Sequence, residues 1–177
     1  MIEKRCFLQS FMVTLAYAVA AFFAWRYGLL QSIWYSDTTY MTSLIGVIFV
    51  AAVGYLNFAA WRYDGKWNRW RDSIANADVG LGHFAASSSF YAGLLGTVIG
   101  LMAQFQALGA VDATKPETGV AFIGATAVAL KTAFYATGCG IAASALISVI
   151  VANLNYFLDR NEVLDRNEML DRNEVAQ

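Results

Sequence analysis

The chain has 177 residues, 58% of them hydrophobic and 14% charged, with a formal net charge of −1 and a mean hydropathy of +0.48. A soluble domain carries roughly 25% charged residues, and here the charges are segregated between long apolar blocks, the distribution of a polytopic membrane protein. So balanced a charge offers no field for nucleic acid, and two distant cysteines, Cys6 and Cys139, make neither a disulfide framework nor a metal knuckle.

Four blocks are long enough to cross a bilayer as helices: Leu8–Leu30, Met41–Trp61, His83–Leu108 and Gly119–Leu154. Together they predict an all-α transmembrane domain over residues 1–157. The first block exceeds the 7–15-residue core of a signal peptide. The last exceeds what hydrocarbon thickness requires, so it tilts or runs on into water.

Basic residues set the orientation. Lys4 and Arg5 precede the first span, Arg62, Lys66, Arg69 and Arg71 follow the second, and Arg160, Arg166 and Arg172 follow the fourth. Both termini are therefore expected in the cytoplasm, with Trp25 and Trp34 in the outer interfacial belt and Trp61, Trp67 and Trp70 in the inner one. Within the short cytoplasmic segment 62–82, the run "WRYDGKWNRWRDSI" (61–74) fits a helix on the membrane surface. Trp67, Trp70 and Ile74 share one side and Arg62, Lys66 and Arg69 another; a solvated loop anchored by tryptophans fits equally. The tail, 158–177, repeats "LDRNEV", "LDRNEM", "LDRNEV". Six residues turn a helix by about 600°, so the leucines wind around it without making one apolar face.

The third span carries "GLLGTVIGLM" at 93–102. Gly93, Gly96 and Gly100 fall at i, i+3 and i+7, a face on which two backbones approach closely. Thr97, Gly100 and Gln104 also share a face. In the fourth span Thr126 and Ser144 lie within about 20° of Thr137, with Ala133 and Gly140 beside them. Serine and threonine in lipid commonly bond the carbonyls of the preceding turn. Two helices with matching small-polar stripes nevertheless favour an interior or pore-facing role.

"GLLGTVIGLMAQF" (93–105) resembles the third-span signature of the MotA/TolQ/ExbB proton-channel family, and "ATGCGIAAS" (136–144) its fourth-span pattern. The resemblance covers about residues 83–155, and four spans with cytoplasmic ends are closer to flagellar stators than to three-span ExbB or TolQ. It implies a ring-shaped homo-oligomer, five copies around a dimer of single-span partners of the MotB/ExbD/TolR type, in a bacterial inner membrane. By carry-over, Thr97 and Thr137 lie near a path for protons or sodium ions, beside a partner aspartate; Thr126, Ser144 and Gln104, on the same small-polar stripes, are further candidates for that path. Ion passage then does mechanical work, and no other cofactor is implied.

The chain departs from that pattern in places. Phe90 stands where members commonly have proline, Thr132 stands where some carry an acid, and the segment between spans two and three is far shorter than in flagellar stators. "LKTAFYATGCGIAAS" also looks like the fourth span of ZorA, a motor subunit of anti-phage defence.

None of the four predicted spans contains Asp or Glu, and the single histidine, His83, sits at a span end. Intramembrane relays use Asp, Glu or His, so the titrating group is expected from another polypeptide. Lys131 is the one charge placed well inside a span, about 120° from Thr137; it is a candidate for gating or partner contact. An enzyme would need clustered His, Asp, Glu or Cys near one interface, and a solute transporter broken helices in both halves. Neither pattern is present, the only proline being Pro116 in the outer loop. A structural oligomer or lipid-binding scaffold is the reading that the stripes alone leave open.

Overall fold

The computed structural model describes residues 5–36, 40–63, 70–109, 111 and 115–175. They form five helices: α1 (Arg5–Arg26), α2 (Leu29–Ser36), α3 (Met41–Tyr63), α4 (Trp70–Gly109) and α5 (Pro116–Val175). Four of them hold stretches long and apolar enough to cross a membrane: Phe7–Arg26, Met41–Arg62, Asn76–Gln106 and Glu117–Arg160. Outward-facing Leu95, Val98, Met102, Phe105, Val120 and Ile123 are all exposed, a surface suited to lipid or to further helices and not to water. The chain is an all-helical multi-pass membrane protein.

Local chemistry sets the helix ends. The first apolar block does not run unbroken to Leu30. Gly28 adopts φ 76°, a left-handed conformation that costs glycine little. Its N–H donates to the carbonyl of Trp25 at 3.0 Å, Tyr27 N–H donates to that of Phe23 at 2.9 Å, and Ser32 N–H restarts the ladder on Gly28 O at 2.9 Å. Bonds of this kind satisfy the carbonyls at a helix end. At the start of α5, Pro116 needs no hydrogen-bond acceptor for its nitrogen. The Lys115 carbonyl there accepts from Thr118 N–H at 3.1 Å and Thr118 Oγ1 at 2.7 Å. Glu117 in the first turn complements the helix dipole.

Two helices are longer than the predicted spans. α4 starts at Trp70, ahead of the expected His83, because Asp78, Val79, Gly82 and Ala86 make a continuous buried face. α5 holds 60 residues, about 90 Å, and runs without interruption through the hexad repeats to Val175. Residues 64–69, the middle of the expected surface helix, lie outside the described residues, as do the side chains of Trp34, Trp67 and Trp70. Trp25 and Trp61 are exposed.

α4 and α5 lie antiparallel in the most extensive contact of the fold; α3 packs on both, α1 on α3 and α5, and α2 against α1, α3 and α5. The core lies toward the end of the bundle where α1 begins and α3 finishes, here the terminal end. Leu56, Ala59, Ile147, Ile150, Val151 and Leu154 are almost wholly buried there. Specific contacts fix the levels. Arg62 meets Asp78, and Ser10 of α1 meets Asn57 of α3. A Cβ added at Gly82 would touch Leu56 and Val151, and one added at Gly96 would touch Met41, the first residue of α3. The far ends of α1 and α3 therefore stand level with Gly96 and Ala136. α4 and α5 extend past the start of α3, α4 to Gly109 and α5 from Pro116.

Candidate ion-path site

The three glycines of α4 are what let α5 lie against it. A Cβ at Gly93 would stand 3.0 Å from both Gly140 Cα and Ala136 O, and one at Gly140 would stand 2.8 Å from Gly93 Cα and Ser89 O. Farther along, a Cβ at Gly96 would meet that of Ala136 at 2.6 Å, and one at Gly100 that of Ala133 at 2.9 Å. The small-residue stripes thus form a seam inside one chain, with backbones nearly touching at the Gly93–Gly140 crossing.

Thr97 and Thr137 lie along one edge of that seam, and their hydroxyls contact each other directly. Both are half-buried. Thr97 Oγ1 donates to Gly93 O at 3.1 Å or Ala133 O at 3.5 Å, and Thr137 Oγ1 donates to Ala133 O at 3.0 Å. Each hydroxyl has one proton and two lone pairs. Two adjoining hydroxyls cannot both give their protons to carbonyls without facing oxygen to oxygen, so one donates to the other. A lone pair stays available at the seam edge. Being neutral, the pair can accept a hydrogen bond but stores no proton.

The edge faces away from the rest of the chain. Gly96 is turned toward Met41 of α3, and Thr97, about 100° further round α4, lies on the flank remote from α3. Thr126 and Ser144 on α5 and Gln104 on α4 are half-buried on the same flank. Thr126 Oγ1 is buried without a hydrogen-bond partner among the described residues. Ser89, on the seam itself, is fully buried and donates to Ala85 O at 2.9 Å.

Lys131 is not part of this arrangement. It is exposed, five residues toward the start of α5 from Ala136 and so about 7.5 Å past the level of Met41. Its ammonium lies 5.5 Å from the centroid of the Tyr135 ring, a cation–π distance. Thr132, where some family members carry an acid, is 2% exposed and bonds the Val128 carbonyl at 3.1 Å. His83 is exposed.

Two polar clusters escape a reading of the sequence. At the terminal end, Asp78 accepts from Arg62 Nη2 on one carboxylate oxygen and from Tyr55 OH on the other, each at 2.6 Å. The Asp78 side chain is 5% exposed and that of Arg62 41%. Asp78 lies within the apolar stretch of α4, which corrects the expectation that the spans contain no Asp or Glu. The available signal was its place on the buried stripe of α4, one turn before Gly82. Between α1 and α3, Ser10 donates to Asn57 Oδ1 at 3.1 Å, and Asn57 Nδ2 donates to Thr14 Oγ1 at 2.9 Å and Val53 O at 2.9 Å. Interhelical bonds of this kind hold membrane helices in register. Among the described residues no group of His, Cys, Asp and Glu is placed to hold a metal ion.

Comparison with known proteins bears on the same region. No curated protein and no solved structure matches closely enough to count as a relative. The model of the MotA/TolQ/ExbB proton channel family matches residues 74–167, over half of the chain, and spans the glycine seam, both threonines and the buried aspartate. The chain belongs to the MotA/TolQ/ExbB proton channel family.

Proposed function

We propose that this chain is the channel-forming subunit of an ion-driven motor in a bacterial inner membrane. Five copies surround a dimer of single-span partner helices, with the Thr97–Thr137 edge of each copy turned toward the centre. The observation that carries this reading is the contact between the two hydroxyls on the flank of the α4–α5 seam away from α3. Family membership supports proton-channel function in an energy-transducing membrane complex. A neutral hydroxyl pair guides a cation and needs an acid beside it to hold one.

Asp78 is not that acid. Both its oxygens are engaged by Arg62 and Tyr55, and it lies 19 residues from Thr97, about 28 Å along α4. The titrating carboxylate therefore comes from the partner. Protons or sodium ions pass between it and the threonines, and the ring turns around the partner dimer. Both termini lie in the cytoplasm, following the basic residues at the terminal end. Lys131 contacts the partner, or repels cations while the channel is closed.

The test is proton flux into vesicles holding the complex isolated with its partner. Thr97→Val and Thr137→Val, which keep shape and remove the hydroxyl, are expected to lower flux at least tenfold with assembly intact. Unchanged flux in both variants would overturn the reading. For Lys131, altered flux in Lys131→Ala is expected, and unchanged flux both with and without the partner excludes a gating role.

A further inference from the structure

A groove of about 470 Å³ runs between α3 and α4 in the half of the bundle toward the terminal end. Ile48, Ala51 and Tyr55 line it from α3, and Gly82, Ala85 and Ser88 from α4. Apart from the Tyr55 and Ser88 hydroxyls its walls are hydrocarbon. It lies on the side of the molecule away from the hydroxyl edge, since Ser88 is about 180° around α4 from Thr97. A bilayer-facing groove of this size and chemistry matches a flexible hydrocarbon chain.

At its terminal end the groove adjoins the Arg62–Asp78 ion pair through Tyr55, which lines the groove and bonds Asp78. Tyr55 and Arg62 share one face of α3, seven residues or about 10 Å apart, and both bond Asp78. The Arg62 side chain is 41% exposed, and a guanidinium presents five N–H donors in a fork that suits phosphate. The sequence that follows is basic as well: Lys66, Arg69 and Arg71 against Asp64 and Asp72. A cluster of this kind immediately beyond a membrane helix attracts anionic headgroups.

We propose that this groove is a binding site for an anionic phospholipid of the adjoining leaflet, one acyl chain lying along Ile48–Tyr55 and the phosphate held at Arg62. The basic excess over residues 62–72, four Lys and Arg against two Asp, favours a phosphate-bearing occupant; a second copy of the chain, whose α5 exposes the acids Glu117 and Asp159, is the rival occupant that the cross-linking outcome below decides. The inference is independent of ion conduction, because lipid retention is read whether or not the chain conducts.

The experiment is native mass spectrometry of the delipidated full-length chain, offered phosphatidylglycerol or phosphatidylcholine with identical acyl chains. The wild type is expected to retain one phosphatidylglycerol per chain, with about a tenfold preference over phosphatidylcholine. Free glycerol phosphate should not displace it. Ala51→Phe and Ser88→Phe, which fill the groove from opposite walls, should each abolish retention while helical content is kept. If one of them fails to fold, the other decides. Arg62→Gln should bind both lipids equally, and Arg62→Lys should recover part of the preference. Equal retention of the two lipids by the wild type overturns the proposal. So does undiminished phosphatidylglycerol in the folded groove-filling variants, or a Ser88→Cys chain that cross-links efficiently through that position to a second copy.

Discussion

Gly140→Ala tests the seam at its tightest point. The new methyl would stand 2.8 Å from Gly93 Cα and from Ser89 O, both backbone atoms, where ordinary contact begins near 3.4 Å. Neither atom moves by a side-chain rotation, so α4 and α5 must part by roughly 0.6 Å, a gap that already forfeits a quarter or more of the dispersion attraction it opens. Overpacking of this kind costs about 1–3 kcal/mol. Against it stands a gain of up to about 1 kcal/mol from replacing glycine by alanine in a helix. Gly138→Ala supplies the control, two residues away on the same helix, because its methyl would meet nothing within 4 Å. In reversible unfolding of the isolated chain in mixed micelles, Gly140→Ala is expected to fall about 1–3 kcal/mol below Gly138→Ala. Equal stability of the two would refute the claim that backbone contact at Gly93–Gly140 sets the spacing of the seam.

Other expectations follow from the polar contacts. Asp78→Asn should destabilise the fold by about 1–3 kcal/mol, since a buried acceptor for Arg62 and Tyr55 is weakened while the half-exposed guanidinium regains water; Tyr55→Phe should cost about 1 kcal/mol in the same unfolding assay. Asn57→Ala leaves the buried Ser10 hydroxyl without its acceptor and should cost about 0.6–2 kcal/mol, the range of interhelical bonds in membranes. A double-mutant cycle on Thr97→Val and Thr137→Val should show coupling of about 0.5 kcal/mol or more, because the hydroxyls touch. Strict additivity would mean that they do not share a proton.

The spans are legible in the sequence because the bilayer turns length and apolarity directly into architecture. The glycines at 93, 96 and 100 announce a close helix contact for the same reason: small residues at helical spacing have few other uses in lipid. Their partner is not legible. The same stripe serves a helix of its own chain or of a neighbour, and the pairing with Ala133, Ala136 and Gly140 depends on the register of an antiparallel helix. Asp78 was hidden by its neighbours. Residues 70–82 read as a surface segment because Arg71, Asp72 and Asp78 interrupt the hydropathy, and the groups that neutralise Asp78 lie 16 and 23 residues earlier on another helix. The break after Arg26 turns on the φ of Gly28, which a glycine between two apolar runs does not disclose by itself. Lys131 lies within the apolar stretch Glu117–Arg160, as the long run on either side of it implies; its level past the first residue of α3 follows from packing that the run does not encode.

The most direct measurement of the central claim is photo-crosslinking in the native membrane from a reactive residue placed at position 97. A hydroxyl edge facing an acid carried by another polypeptide predicts adducts with a single-span protein, mapped to a stretch of its membrane helix next to a carboxylate. Adducts confined to lipid, or to other copies of this chain, would contradict it.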